Sequence, residues 1–123
     1  MKNVLFISYD GLLDPLGQSQ ILPYLLGLSE EGYRFSILSY EKTHRNKDEI
    51  INLKNYLKSK NIKWHQLWFK KGKFQGIKRI IYGAFCVRGI CKNNNIDLIH
   101  LRAILPAVIF VFSFVKKKFI YDI

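Results

Sequence analysis

An α/β fold on a doubly wound parallel sheet, Rossmann-like in topology, is what this sequence predicts, and three observations predict it. Short, nearly unbroken apolar runs recur along the chain, VLFISY at Val4–Tyr9 first among them. Strands of a parallel sheet read this way because helices bury both of its faces. Between the runs lie longer stretches with apolar residues at helical spacing. The two kinds of segment alternate, strand then helix, which is the order that parallel neighbours need for their crossovers.

The elements follow in order. Val4–Tyr9 is the first strand, and Asp10–Gly17 (DGLLDPLG) is a loop rich in glycine and aspartate. Ser19 is expected to cap the next helix, with Pro23 in its first turn, where a missing N–H costs least. Ile21, Leu22, Leu25, Leu26 and Leu28 give that helix its apolar face, and Gly32 ends it. Arg34–Tyr40 is the second strand. Asp48–Lys60 is an amphipathic helix with Ile50, Ile51, Leu53 and Leu57 turned inward. Lys63–Phe69 (KWHQLWF) is the third strand, Lys70–Lys73 a basic loop and Phe74–Lys92 a long helix. Asp97–Leu101 is the fourth strand. Ala103–Val115 is apolar on nearly every side, so it is expected to be well buried. Lys118–Ile123 opens a fifth strand with no helix to cover it, so the domain is expected to be incomplete at its C-terminus.

The chain has 123 residues, which fits one domain, 1–123. Hydrophobic residues make up 49% and charged residues 24%, enough apolar material for a real core. The net charge of +11 calls for an acidic partner: nucleic acid, an anionic membrane face or a phosphorylated substrate. Cys86 and Cys91 have the spacing of neither a zinc site nor a redox CxxC pair, and are read as buried free thiols. Met1–Asp10 is too short for a secretion signal. The longest apolar run, Ala103–Val115, has 13 residues, whereas a spanning helix needs about 20. A cytoplasmic protein is expected, able to lie on a membrane without crossing it.

Ligands of doubly wound sheets bind beyond the carboxyl ends of the strands. That directs attention to Asp10–Ser19, Tyr40–Lys42, Phe69–Lys73 and His100–Ala103. In the first loop, backbone N–H groups and the dipole of the following helix favour an anion, and Gly11 and Gly17 would allow close approach. The loop has neither the dinucleotide GxGxxG nor the P-loop GxxxxGK[ST], and a plain turn is the equal alternative. His100 and Arg102 lie two apart on a strand and so point the same way. The arginine suits a phosphate or developing charge, and the histidine suits a proton or a sugar hydroxyl. The alternatives are a core histidine and a surface ion pair. Trp68–Phe85 mixes Lys70, Lys71, Lys73, Lys78 and Arg79 with aromatic residues. That is the composition of a helix on an anionic membrane and also of a nucleic-acid surface; an ordinary solvated face is the bland alternative. No Ser/His/Asp set, metal cluster or close carboxylate pair stands out. His44 and His65 suggest no role. Glu41 and Glu49 match an E-x7-E spacing by chance.

With these residues on the page, the chain resembles the N-terminal domain of family 4 glycosyltransferases, whose GT-B fold sets two Rossmann-like domains face to face. VLFISYDGLLDPLGQSQILPYLLGLSEEGY is similar to the first strand, glycine loop and first helix of a bacterial subgroup. IDLIHLRAILPAVI is similar to its fourth strand and following helix, and KFIYDI to the strand after that. The resemblance implies sugar transfer from a nucleotide-sugar to an acceptor with retention of configuration. It places the acceptor mainly in this domain. It makes Asp10, Gly11, Gly17, Gln18, Ser19 and Gln20 the loop that meets donor diphosphate and acceptor. Many relatives carry H-x-H where this chain has His100-Leu-Arg102, which implies binding rather than proton transfer at Arg102. The donor-binding C-terminal domain of the family, with its basic pair and E-x7-E carboxylates, has no counterpart here.

The expectation is therefore the acceptor-side part of a retaining glycosyltransferase, inactive alone, acting on a cell-surface polysaccharide or glycolipid. No cofactor or metal is implied beyond the nucleotide-sugar as co-substrate. Lys70, Lys71, Lys73, Lys78 and Arg79 would meet anionic lipid at the inner face of the plasma membrane. The competing readings are a non-catalytic or split-enzyme subunit needing a partner chain, and a basic nucleic-acid-binding domain. Against the latter, no motif of that class occurs and the aromatics are expected mostly at core positions. No nucleic acid is expected as partner.

Overall fold

The computed structural model describes residues 2–42, 46–69 and 75–122. Among these residues, five strands are β1 (Lys2–Ser8), β2 (Tyr33–Lys42), β3 (Lys63–Phe69), β4 (Leu98–Arg102) and β5 (Lys118–Asp122). Four α-helices among the described residues accompany them: α1 (Leu22–Glu30), α2 (Lys47–Ser59), α3 (Gln75–Asn94) and α4 (Ile104–Ser113). The strands form one sheet in the order β3-β2-β1-β4-β5, and every pair is parallel. The predicted α/β class and Rossmann-like sheet are what the chain adopts. The chain moves outward from β1 to β3 and then returns to the other side of β1, so the order reverses between β1 and β4. In doubly wound sheets, ligands bind beyond the carboxyl ends of the strands at such a reversal.

Side-chain alternation splits the core in two. Val4, Phe6, Phe35, Ile37 and Trp64 pack against Ile21 and Leu25 on one face, with Ile50 and Leu57 of α2. Leu5, Ile7, Leu38 and Tyr40 pack on the other, against Val87 and Ile90 of α3 and Ile109 and Phe110 of α4. The sheet thus lies between an α1/α2 layer and an α3/α4 layer, as helical crossovers on both faces require.

Several expectations are corrected. Ser19 does not cap a helix. Helical structure already begins at Pro15, and Gly17–Ile21 form a π-turn in which the Leu22 N–H donates to the Gly17 carbonyl. Pro23 has no N–H and its ring crowds the carbonyl four residues back, and the wider π-turn relieves that crowding. Asn46 caps α2 with its side chain, accepting from the Asp48 N–H at 2.8 Å. On α2, Ile51 points to solvent. Cys91 is buried, but Cys86 is only half-buried; both are free thiols. The largest correction concerns α4. Pro106, Ile109, Phe110 and Ser113 face the sheet, whereas Ile104, Val111 and Phe112 are more than half exposed. One helix can bury only one stripe against one sheet, however apolar its remaining faces.

Candidate functional site

The β1–α1 loop folds over the end of β2 and is held there by the chain's own carboxylates. Glu41, on β2, is fully buried. Its Oε2 accepts from the Leu12 N–H at 3.0 Å and from the Ser39 hydroxyl at 2.7 Å. Ser39 accepts in turn from the Trp64 indole at 2.8 Å, so one chain of hydrogen bonds runs from β3 through β2 into the loop. Asp14 accepts from the Gly11 N–H at 3.0 Å and pairs with Lys42 at 3.1 Å. Two of the first loop's backbone N–H groups, those of Gly11 and Leu12, are therefore engaged inside the protein, where the loop was expected to offer such groups to an anion.

The two glycines serve the same closure. A Cβ on Gly11 would stand 2.8 Å from the Glu41 carboxylate. A Cβ on Gly17 would overlap the carbonyls of Gly11 and Leu12, the latter at 2.6 Å. Close approach is what these positions require, but the group that approaches is the chain itself, where a ligand was expected. Gln18 donates to the Leu12 carbonyl at 2.8 Å and Ser19 to the Pro15 carbonyl at 2.9 Å. Ser8 donates to the Asp10 carbonyl at 2.9 Å as β1 gives way to the loop. Among these residues, Gln20 reaches β4.

Arg102 meets it there, donating to Gln20 Oε1 at 2.9 Å. Strand register sets Ser8, Arg102 and Asp122 side by side at the ends of β1, β4 and β5. His100 lies one pleat below on the same face. It is buried, tilted against Phe6 with centroids 4.8 Å apart and edge-on to Tyr24 of α1 at 5.9 Å. Its Nε2 lies 3.7 Å from an Asp122 carboxylate oxygen, too far for a hydrogen bond. Burial pushes the His100 pKa down; the Asp122 carboxylate opposes this and Arg102 reinforces it. A neutral imidazole, a guanidinium, an amide and a carboxylate thus converge at the topological switch point. Asp122 was not singled out by sequence reasoning. The register that places it beside Arg102 could be had by pairing KFIYD with LIHLR residue for residue.

The turn after Arg102 is strained. Ala103 has φ 78° and ψ 173°, a conformation that glycine normally takes, and its N–H donates to the Asp122 carbonyl at 2.8 Å. That bond ties the end of β4 to β5 and fixes how Arg102 and Asp122 stand to each other.

The basic stretch lies elsewhere. Lys70, Lys71, Lys73 and His44 fall outside the described residues. Lys78 and Arg79 are on α3, beside an open groove of about 530 Å³ walled by Leu67, Trp68, Ile81, Tyr82 and Phe85. Tyr40 forms its floor and donates to the Arg79 carbonyl at 2.7 Å; burial drives the phenol's pKa well up, so it stays a donor. Trp68, Tyr82 and Phe85 are exposed, which corrects the expectation that the aromatics fill the core. Glu49 is exposed on α2, remote in role from buried Glu41, so the E-x7-E spacing has no structural meaning. Among the described residues, no group of His, Cys, Asp and Glu could hold a metal ion. No helix among them is long and apolar enough to cross a membrane.

No protein-family model and no curated protein matches the sequence. Among solved structures, the chain is similar to a glycosyltransferase from Rickettsia africae ESF-5, with a TM-score of 0.63 at 17% identity. That likeness covers 98% of this chain and 29% of the other, so this chain spans under a third of its length. A short-chain dehydrogenase from Oenococcus oeni PSU-1 aligns over 82% of this chain and 38% of its own, at 14% identity. Its TM-score is 0.49, too low to bear on the reading. At such identities the likeness to the glycosyltransferase is one of fold.

Proposed function

We propose that this chain is the acceptor-side domain of a retaining glycosyltransferase of family 4 type, one half of a GT-B arrangement. One observation carries the reading: His100, Arg102, Gln20 and Asp122 converge where the strand order reverses, in a fold shared with a glycosyltransferase. Sugars are held by planar polar groups that offer donors and acceptors together. Gln20 and Asp122 supply acceptors, Arg102 donors, and neutral His100 one of each. Tyr24 adds an exposed aromatic face beside them. Arg102 is a binding group for a phosphate or an acidic sugar, since a guanidinium does not exchange its proton near neutral pH.

The donor in this reading is a nucleotide-sugar, and it is held mainly by a second domain or partner chain. The E-x7-E spacing in this sequence, Glu41 with Glu49, pairs a buried carboxylate that holds the first loop with an exposed one on α2, and takes no part in holding the donor in this reading. The first loop supports the reading through Gln20; its Gly11 and Leu12 amides act as framework. The acceptor is a polysaccharide or glycolipid at the cytoplasmic face of a membrane. No metal or cofactor takes part.

The test presents the chain with labelled nucleotide-hexoses and a panel of glycans. The expected result is no transfer, together with glycan signals in saturation-transfer NMR that Arg102→Ala removes. Transfer by this chain alone would overturn the acceptor-side assignment. Saturation of the nucleotide but of no glycan would place the donor here instead.

A further inference from the structure

The two helical layers differ in charge. No Asp or Glu occurs between Glu49 and Asp97, nor between Asp97 and Asp122. The α3/α4 layer therefore carries only one sign: Lys78, Arg79, Arg88 and Lys92 on α3, and Lys116–Lys118 after α4. The opposite layer mixes signs, with Glu30 on α1 and Asp48, Glu49 and lysines on α2. The same one-signed layer exposes more large apolar side chains than the opposite layer does. On α3, the stripe opposite the buried face runs Lys78, Ile81, Tyr82, Phe85 and Lys92 at helical spacing. Phe85 is 71% exposed and Tyr82 64%. On α4, Ile104 and Val111 stand opposite the core stripe at 71% and 67%.

We propose that the outward face of α3 and α4 docks flat on an anionic lipid bilayer. Apolar side chains ringed by cations, with no carboxylate among them, match acyl chains beneath acidic headgroups. The surface extends beyond the stretch Trp68–Phe85, because α4 supplies part of its apolar area. A second copy is a poor occupant, since a two-fold contact would set this positive face against itself. Single-stranded nucleic acid is a poorer fit than lipid: Tyr82 and Phe85 could stack on bases, but Ile77, Ile81, Ile104 and Val111 are aliphatic and offer bases nothing to stack on. Docking through this layer also leaves the α1/α2 side, where His100, Gln20 and Tyr24 sit, turned away from the bilayer core. That last point rests on the proposed function; the docking itself rests on charge and exposure.

The test is co-sedimentation of the whole chain with phosphatidylcholine vesicles, with and without phosphatidylglycerol. Binding is expected only with the anionic lipid and is expected to fall as salt rises. The pair Lys78→Glu and Lys92→Glu should weaken it at least about tenfold. Phe85→Ser with Phe112→Ser should weaken it too, and Lys54→Glu with Lys58→Glu on α2 should not. The lipid and salt arms use the unaltered chain, so they decide the matter even where a variant folds poorly. The proposal is overturned by equal binding to neutral vesicles, by no binding, or by an equal loss from the α2 pair. It is also overturned if the α3/α4 variants abolish a dimer or the retention of an oligonucleotide while vesicle binding is absent. Vesicle binding needs neither donor nor transfer, so it and the proposed function fail separately.

Discussion

His100 faces three influences. Burial between Phe6 and Tyr24 disfavours its charged form most, Asp122 favours it, and Arg102 disfavours it. His65 shifts the same way through burial, with Lys63 and Lys54 adding to the effect. A histidine in the unfolded chain titrates near about pH 6.5. Both folded values lie below that, so in the window beneath it the unfolded chain holds protons that the folded chain does not. Stability is then fully present above about pH 6.5 and falls as the pH drops towards the folded values. The expected result is a lower urea midpoint at mildly acid pH than at neutral pH, and a flatter profile in His100→Gln. A midpoint that rises on acidification would contradict the burial account. Asp122 makes the effect specific, since Asp122→Asn removes the one opposing charge and should steepen the acid loss.

At the scale of elements, glycines on α3 distinguish a packed face from a free one. A Cβ on Gly83 would meet the Tyr40 hydroxyl at 2.7 Å and Ile109 of α4 at 3.2 Å, where α3, α4 and the sheet converge. A Cβ on Gly89 would meet nothing within 4 Å. Gly89→Ala should therefore stabilise the chain by about 0.5–1 kcal/mol through helix propensity. Gly83→Ala should destabilise it by about 1–3 kcal/mol through overpacking. Denaturant midpoints check both, and a gain at Gly83 would mean that α3 does not pack as described. The alternation of strands and helices was legible because each parallel strand and each crossover carries its own period. The exposure of α4 was not, since a wholly apolar helix reads alike whether one side or every side is covered. Ile51 misled for the same reason, as a stripe of apolar residues has an edge that composition does not mark. The π-turn at Gly17–Ile21 had one legible sign, Pro23 inside a helical run. Ser19 offered a competing cap, and the helix had already begun at Pro15. Glu41 carries no local signal beyond a chance E-x7-E spacing. Its function depends on the loop folding back over β2, a contact across 29 residues that no local pattern encodes.

For the molecule as a whole, the reversal of strand order decides where chemistry can happen. β1 and β4 flank that reversal, and their last residues, Ser8 and Arg102, are register partners. The first loop contributes rigidity there. Its amides and glycines close on Glu41 and Asp14, and Gln20 bonds to Arg102 at the end of β4. The likeness to the Rickettsia glycosyltransferase covers 98% of this chain and is one of fold. The α3/α4 layer, basic and apolar together, stands on the far side of the sheet from His100. The central claim is that a sugar acceptor binds at the end of β4, and amide chemical-shift mapping of the labelled chain against short glycans tests it most directly. The account predicts shifts confined to Ser8–Asp10, Gln20, Arg102–Ile104 and Asp122, lost in Arg102→Ala. Shifts clustered instead on α3 around Phe85, or spread evenly over the surface, would contradict it.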